Sequence, residues 1–182
     1  MNLYGRIRGM DWSQVDPTLQ ALHLSEEDLD TRGRFRVTRS RNVLARMIGR
    51  WMNLPPAGDP VEVHIHVQRE HNQETWTRNF SGAIFKSWQT LDPEGMLVER
   101  FGRFEFRFHV ETIPQGIHFR QTDFRMRIGR GWMPLPPWLS TRIEATETIS
   151  GHSAHPQVEV DISIPIFGSI LRYDGTLEPP GE

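Results

Sequence analysis

The chain has 182 residues, 21 Lys+Arg against 23 Asp+Glu, a net charge of −2 and no cysteine. That length makes one domain with a full core. The composition excludes disulfides, thiolate metal sites and a cysteine nucleophile, and it argues against a general polyanion binder. No apolar run approaches the ~20 residues needed to span a bilayer, and the start, Met1-Asn2-Leu3-Tyr4-Gly5-Arg6, has no apolar secretory core. Cytoplasmic residence is the expectation. Twenty of the 21 basic residues are Arg, Lys86 being the exception.

In chain order, residues 1–40 read as short helical turns and a first strand. Asp16-Pro17 suits an N-cap followed by the first helical position, leading into Thr18–Leu24. Ser25-Glu26-Glu27-Asp28 reads as a solvated turn, and Arg34–Arg39 alternates like a strand. A helix is predicted from Arg41 to Asn53, where Val43, Leu44, Met47, Ile48, Trp51 and Met52 make one apolar stripe. Ser40 is placed to cap it, and Leu54-Pro55-Pro56 stops it. The stripe calls for a sheet to cover.

From Pro60 to Leu177 the period becomes two. Val61, Val63, Ile65 and Val67 share one face; Phe104, Phe106, Phe108 and Val110 share another; Val158, Val160, Ile162, Ile164 and Ile166 make a third row. Turn signals separate these runs: His71–Glu74, Asp92-Pro93-Glu94-Gly95, Pro114-Gln115-Gly116 and Ser150-Gly151-His152. No crossover helices intervene. The expected fold is mainly β with one or two short helices: a strongly curved antiparallel sheet or closed barrel of about eight to ten strands, with the Arg41–Asn53 helix packed against it. Residues 178–182 read as a tail. A change of parity between Ile117/Phe119 and Phe124/Met126/Ile128 points to a bulge.

Several motifs occur together. They include Leu19-x-x-Leu22-His23, Gly33-x-Phe35-x-Val37, Asn42-x-Leu44-Ala45, Leu54-Pro55-Pro56-Ala57-Gly58 and Trp76-x-Arg78-x-Phe80. Phe85-x-Ser87, Leu97–Gly102, Pro134-Leu135-Pro136, Glu144-x-x-Glu147 and Pro165-x-x-Gly168-x-x-x-Arg172-Tyr173-x-Gly175-x-Leu177 follow. In that order they resemble the bacterial family catalogued as domain of unknown function 4166, over nearly the whole chain. The resemblance implies a stand-alone bacterial domain that also occurs joined to saccharopine-dehydrogenase-like reductase modules. It supplies no activity, substrate or catalytic residue.

Charges of the wrong parity mark the candidate site. Arg78 falls between Trp76 and Phe80, Glu99 between Leu97 and Phe101, and Glu147 follows Ile143 and Ala145. If those faces are interior, the charges must be paired or neutralised. One reading is a polar anchor in a pocket, Arg78 holding an acidic group while Glu99 and Glu147 orient it. The other is an internal ion-pair network that fixes register. Ser87 and Tyr173 are placed to join either network. Trp132 and Trp138, in a Pro-stiffened loop, are candidates for a lid over the cavity, a barrel plug, or an edge that docks on a membrane or partner domain.

Other constellations are weaker. His64 and His66 share a polar row and read as solvent-exposed rather than as a metal pair. His23 reads as the cation at a helix C-terminus. Gly151-His152-Ser153-Ala154-His155 only approaches a nucleophile-elbow pattern. No catalytic residue, cofactor or metal ligand is assigned, and the arginines at 120–142, interleaved with acids, do not make a nucleic-acid surface. Three functions are ranked: a module binding an amphipathic or lipid-like acidic small molecule in an apolar β cavity; an interaction domain that partners a reductase-type module; and an enzyme using Glu99 or Glu147 as general base.

Overall fold

The computed structural model describes residues 2–52, 54–149 and 155–179. Two one-turn 3₁₀ helices, Tyr4–Arg6 and Trp12–Gln14, precede α1 (Pro17–Leu24). As expected, Asp16 caps α1: its carboxylate accepts from Thr18 N at 2.8 Å, with Pro17 in the first turn. The acidic residues 26–28 are exposed. β1 (Leu29–Arg39) then begins five residues earlier than the alternation at Arg34 suggests.

Ten further strands follow: β2 (Gly58–Glu70), β3 (Gln73–Phe80), β4 (Ala83–Leu91), β5 (Leu97–Phe101), β6 (Phe104–Ile113), β7 (Gly116–Ile128), β8 (Gly131–Pro134), β9 (Arg142–Thr148), β10 (Gln157–Ile164) and β11 (Gly168–Leu177). Neighbours in sequence pair antiparallel from β1 to β7, and β9, β10 and β11 continue the same way. Two joints close the ring, β1 with β11 over Gly33–Arg39 and β7 with β9 over Gly116–Arg120. The result is a closed antiparallel barrel of ten strands, with β8 as a short extra ribbon on the upper edge of β7. The expected bulge lies on β7. Arg107 faces Asp123 and Phe108 faces Gln121, so Thr122 is left without a partner and the inward set passes from Phe119 to Phe124.

Inward residues fill the barrel. Phe124 stacks between Phe104 (5.8 Å) and Phe106 (5.2 Å). Outside, β1 alternates Arg32, Arg34 and Arg36, the last two paired with Glu62 and Asp59 at 2.9 and 2.8 Å. The N-terminal segment closes one end, burying Leu3, Tyr4, Leu19 and Leu22.

α2 (Val43–Trp51) follows β1 and lies at the other end. Asn42, not Ser40, caps it, accepting from Leu44 N (2.9 Å) and Ala45 N (3.3 Å), while Ser40 Oγ accepts from Asn42 N one step earlier. Its seat also differs from expectation. Ala45 and Gly49 are buried, whereas Val43, Leu44, Met47 and Trp51 are 55–68% exposed. Small residues four apart let the backbone approach closely: a Cβ on Gly49 would meet the Arg39 guanidinium at 2.1 Å. The large side chains are thereby turned outward. Met52 and Leu54, beyond the helix, drop into the barrel.

Glycines at inward positions let the closing joint coil tightly. A Cβ on Gly175 would stand 2.2 Å from Arg34 O and 2.7 Å from the Phe35 ring. Gly175→Ala is therefore expected to lower the unfolding free energy in urea by about 1–3 kcal/mol. Gly131, with nothing within 4 Å of an added Cβ, should accept Ala within about 0.5 kcal/mol; equal effects at the two sites would contradict this account of the joint.

Candidate functional site

The barrel encloses a cavity of about 140 Å³ lined mainly by apolar side chains, with Arg78, Glu99, Glu147, Gln89, Tyr4 and Tyr173 on its wall. Strand alternation puts them there. On β3, Trp76, Arg78 and Phe80 point inward together, opposite the inward Phe85 and Ser87 of β4. Glu99 takes the matching position on β5, and Tyr173 stands on β11 between Phe35 (5.9 Å) and Phe80 (5.6 Å).

Arg78, Ser87 and Glu99 form one network. Arg78 Nη1 donates to Ser87 Oγ at 2.9 Å and lies 3.4 Å from Glu99 Oε1, and Ser87 Oγ donates to the same carboxylate at 2.5 Å. The guanidinium sits 4.9 Å from the centre of the Trp76 ring. Among the described residues, Nε and Nη2 of Arg78 have no hydrogen-bond partner, and the side chain retains 15% exposure.

Glu147 does not orient Arg78. It turns to His23, whose Nε2 lies 2.6 Å from Glu147 Oε2 and whose side chain is fully buried. His23 does occupy the last turn of α1, but it packs under the Tyr4 ring at 4.4 Å instead of capping the helix toward solvent. The cation at that helix end is Arg69 of β2, which donates to Leu22 O and Glu27 O. Arg69 also stands 3.5 Å from Glu74, whose carboxylate accepts from Trp76 Nε1 at 3.0 Å. Burial pushes the Glu74 carboxyl above its ordinary range against the pull of Arg69. The floor is completed by Tyr4, which donates through its hydroxyl to Gln89 Oε1 at 2.8 Å.

Glu74 and Gln89 were legible from parity, since 74 continues the row 76/78/80 and 89 the row 85/87. Reading His71–Glu74 as a polar turn hid the first. Nothing local signals the His23–Glu147 pair, whose members lie 124 positions apart.

Trp132 and Trp138 are not among the residues lining the cavity. Trp132 pairs in register with Arg127 on the outer face and lies 5.7 Å from the Arg100 guanidinium, and Trp138 is 56% exposed. Alternation along β8 carries Trp132 to the outside, and the loop after β8 holds Trp138 in solvent. His64 and His66 are surface residues sharing Asp30 at 2.7 and 3.4 Å. Among the described residues no cluster of three or more His, Asp or Glu is arranged to hold a metal ion, and no helix is long and apolar enough to cross a membrane. Residues 151–154 of the Gly151–His155 motif lie outside the described residues.

Both tyrosines of the chain belong to this interior. Burial, with Glu99 and Glu147 acting against the attraction of Arg78, pushes the Tyr173 phenol up to about 12. Burial and the carboxylates of Glu74, Glu147 and Glu99 raise Tyr4 well above its ordinary value. Absorbance at the tyrosinate band should therefore show almost no ionisation at about pH 10 in the folded protein, and a titration with its midpoint near there in guanidinium. The unfolded chain releases phenolic protons that the folded chain keeps, so stability should fall as pH climbs from about 10 to 12. A native step near pH 10 would contradict the buried placement of both rings.

No curated protein and no solved structure matches the chain. A family model described as Domain of unknown function (DUF4166) matches residues 15–177, the whole barrel and the α1 cap included, and the chain belongs to that family.

Proposed function

We propose that the barrel is a small-molecule-binding module that holds an amphipathic acid, its carboxylate on Arg78 and its apolar body among the phenylalanines. What carries this reading is an arginine with one nitrogen tied to Ser87 and Glu99 and two nitrogens unpartnered at the wall of an apolar cavity. A guanidinium offers donors in a planar fork, and the free pair suits a bidentate carboxylate. The Trp76 ring beneath it and the Tyr173 ring near it complete a polar patch in otherwise apolar walls. Most ligand pockets have this composition: hydrophobic lining with a few convergent polar groups.

Size narrows the ligand. A void of about 140 Å³ is on the scale of about 150 Å³ that takes up one benzene ring, which favours a compact aromatic or short-chain acid over a long acyl chain. Catalysis has less support. Glu74, the carboxyl that burial holds toward its protonated form, is occupied by Arg69 and Trp76 and does not line the cavity.

Titration of the protein with phenylacetate and octanoate, followed by calorimetry, and native mass spectrometry of the freshly purified protein test the reading. The variant carrying Arg78→Met with Glu99→Gln removes both charges at similar volume, so it should fold with a melting temperature near that of the parent. It is expected to bind at least tenfold more weakly, about 1.4 kcal/mol. If neither acid nor any co-purified molecule binds, or if the double variant binds as well as the parent, the interior is a packed ion-pair network and the proposal fails.

A further inference from the structure

The two ends of the barrel differ in chemistry. Among the described residues, every large apolar side chain that is exposed, Trp88 excepted, lies at the α2 end. Four are on α2 itself, Val43, Leu44, Met47 and Trp51, and they fall within about 100° of arc at 100° per residue. Ile128 and Ile166, both 50% exposed, stand at the turns that share this end; β10 stops at Ile164, so Ile166 leaves the row that alternation predicts for it and lies in the turn. The connections here are residues 40–57, 81–82, 102–103, 129–130, 135–141 and 165–167, and none contains Asp or Glu. They do contain Arg41, Arg46, Arg50, Arg103 and Arg130. The opposite end carries Asp11, Asp16, Glu26, Glu27, Asp28, Asp92, Glu94 and Glu178 against Arg6 and Arg8. A chain with a net charge of −2 thus keeps one end free of acids in its connections, and that end also exposes its apolar side chains.

We propose that the α2 end docks on the surface of an anionic lipid bilayer, with Val43, Leu44, Met47 and Trp51 set toward the acyl chains and the arginines at the headgroups. An apolar helix face flanked by Arg, with a Trp at its end, is the combination that lies in a membrane interface. The connections themselves present no acid to anionic headgroups, and the acid next to them, Asp59 at the start of β2, is paired with Arg36 at 2.8 Å. Attraction to each arginine then adds to burial of the apolar face. α2 suits the task because it is held to the barrel by Ala45, Gly49 and Ile48, with one edge of Trp51 against Phe104 at 5.2 Å, while Val43, Leu44, Met47 and the rest of Trp51 stay exposed. This inference stands apart from the ligand reading, since it uses none of the cavity residues.

The test is co-sedimentation of the full chain with large unilamellar vesicles, either pure phosphatidylcholine or phosphatidylcholine with a quarter phosphatidylglycerol, at about 0.1 M salt. The protein is expected to sediment with the anionic vesicles, and at least tenfold less with the neutral ones. Leu44→Glu with Met47→Glu should weaken association with anionic vesicles at least tenfold, and Arg46→Glu with Arg50→Glu likewise. All four side chains are exposed, so thermal melting should confirm an intact fold in both. Arg78→Met with Glu99→Gln should sediment as the parent does, which separates this test from that of the cavity. Failure to sediment with anionic vesicles, or sedimentation indifferent to the L44E/M47E pair, overturns the proposal. So does a soluble dimer that the L44E/M47E pair splits, which would assign the face to a second copy of the chain.

Discussion

Pairing β7 with β9 removes the last open edge of the sheet, and the rest of the structure follows from that closure. Once ten strands form a ring, every inward position looks into the same volume. Phenylalanines from β6 and β7, aliphatic rows from β1, β2 and β10, and the charges of β3, β5 and β9 must share it. Closure also creates two ends that need covering. The N-terminal segment and α1 serve one, tied down by Arg69 to their last carbonyls; Met52 and Leu54 reach into the other.

Sharing that volume is costly for charged groups, because each loses water that only a partner can replace. The interior meets this demand in three separate sets: Arg78 with Ser87 and Glu99, His23 with Glu147, and Arg69 with Glu74 and Trp76. Buried polar sets of this kind add little net stability over apolar side chains of equal volume. What they do is penalise any strand shifted by one residue, since the charges would then face their partners' backs. His23 Nδ1 and Arg69 Nε also lack hydrogen-bond partners, but both are sealed in protein, whereas the spare nitrogens of Arg78 stand at the wall of the cavity.

Much of this was legible in the sequence, and the reason is local. Alternation fixes which residues of a strand share a face, so Trp76, Arg78 and Phe80, and likewise Glu99 and Glu147 with their apolar neighbours, could be grouped from parity, while which face is interior was settled by closure of the ring. Even the bulge at Thr122 announced itself, as a mismatch between Phe119 and Phe124. Partner choice is not local. Glu147 was open to Arg78 or to any other cation until the ring closed and brought α1 beneath it. The outward face of α2 was hidden for a similar reason: hydrophobic periodicity registers large side chains, while Ala45 and Gly49, which set the seat, carry almost no signal. Trp132 and Trp138 drew attention by size, but β8 is a ribbon outside the ring, and alternation there does not point into the cavity.

The joint between β1 and β11 has a further consequence during synthesis. Strands β2 to β7 can zip onto β1 as they emerge, whereas the other edge of β1 has no neighbour until the last strand of the barrel exists. For that interval the first strand is an open template for pairing with another chain. Arg32, Arg34 and Arg36, alternating along its outer face, place a like charge at every second position of the waiting edge. Two nascent copies brought together there in register would face one another arginine to arginine, whereas β11 brings Asp174 opposite Arg36. Glu62 and Asp59 of β2 already pair with Arg34 and Arg36, so β11 completes an edge whose charge is partly balanced before it arrives.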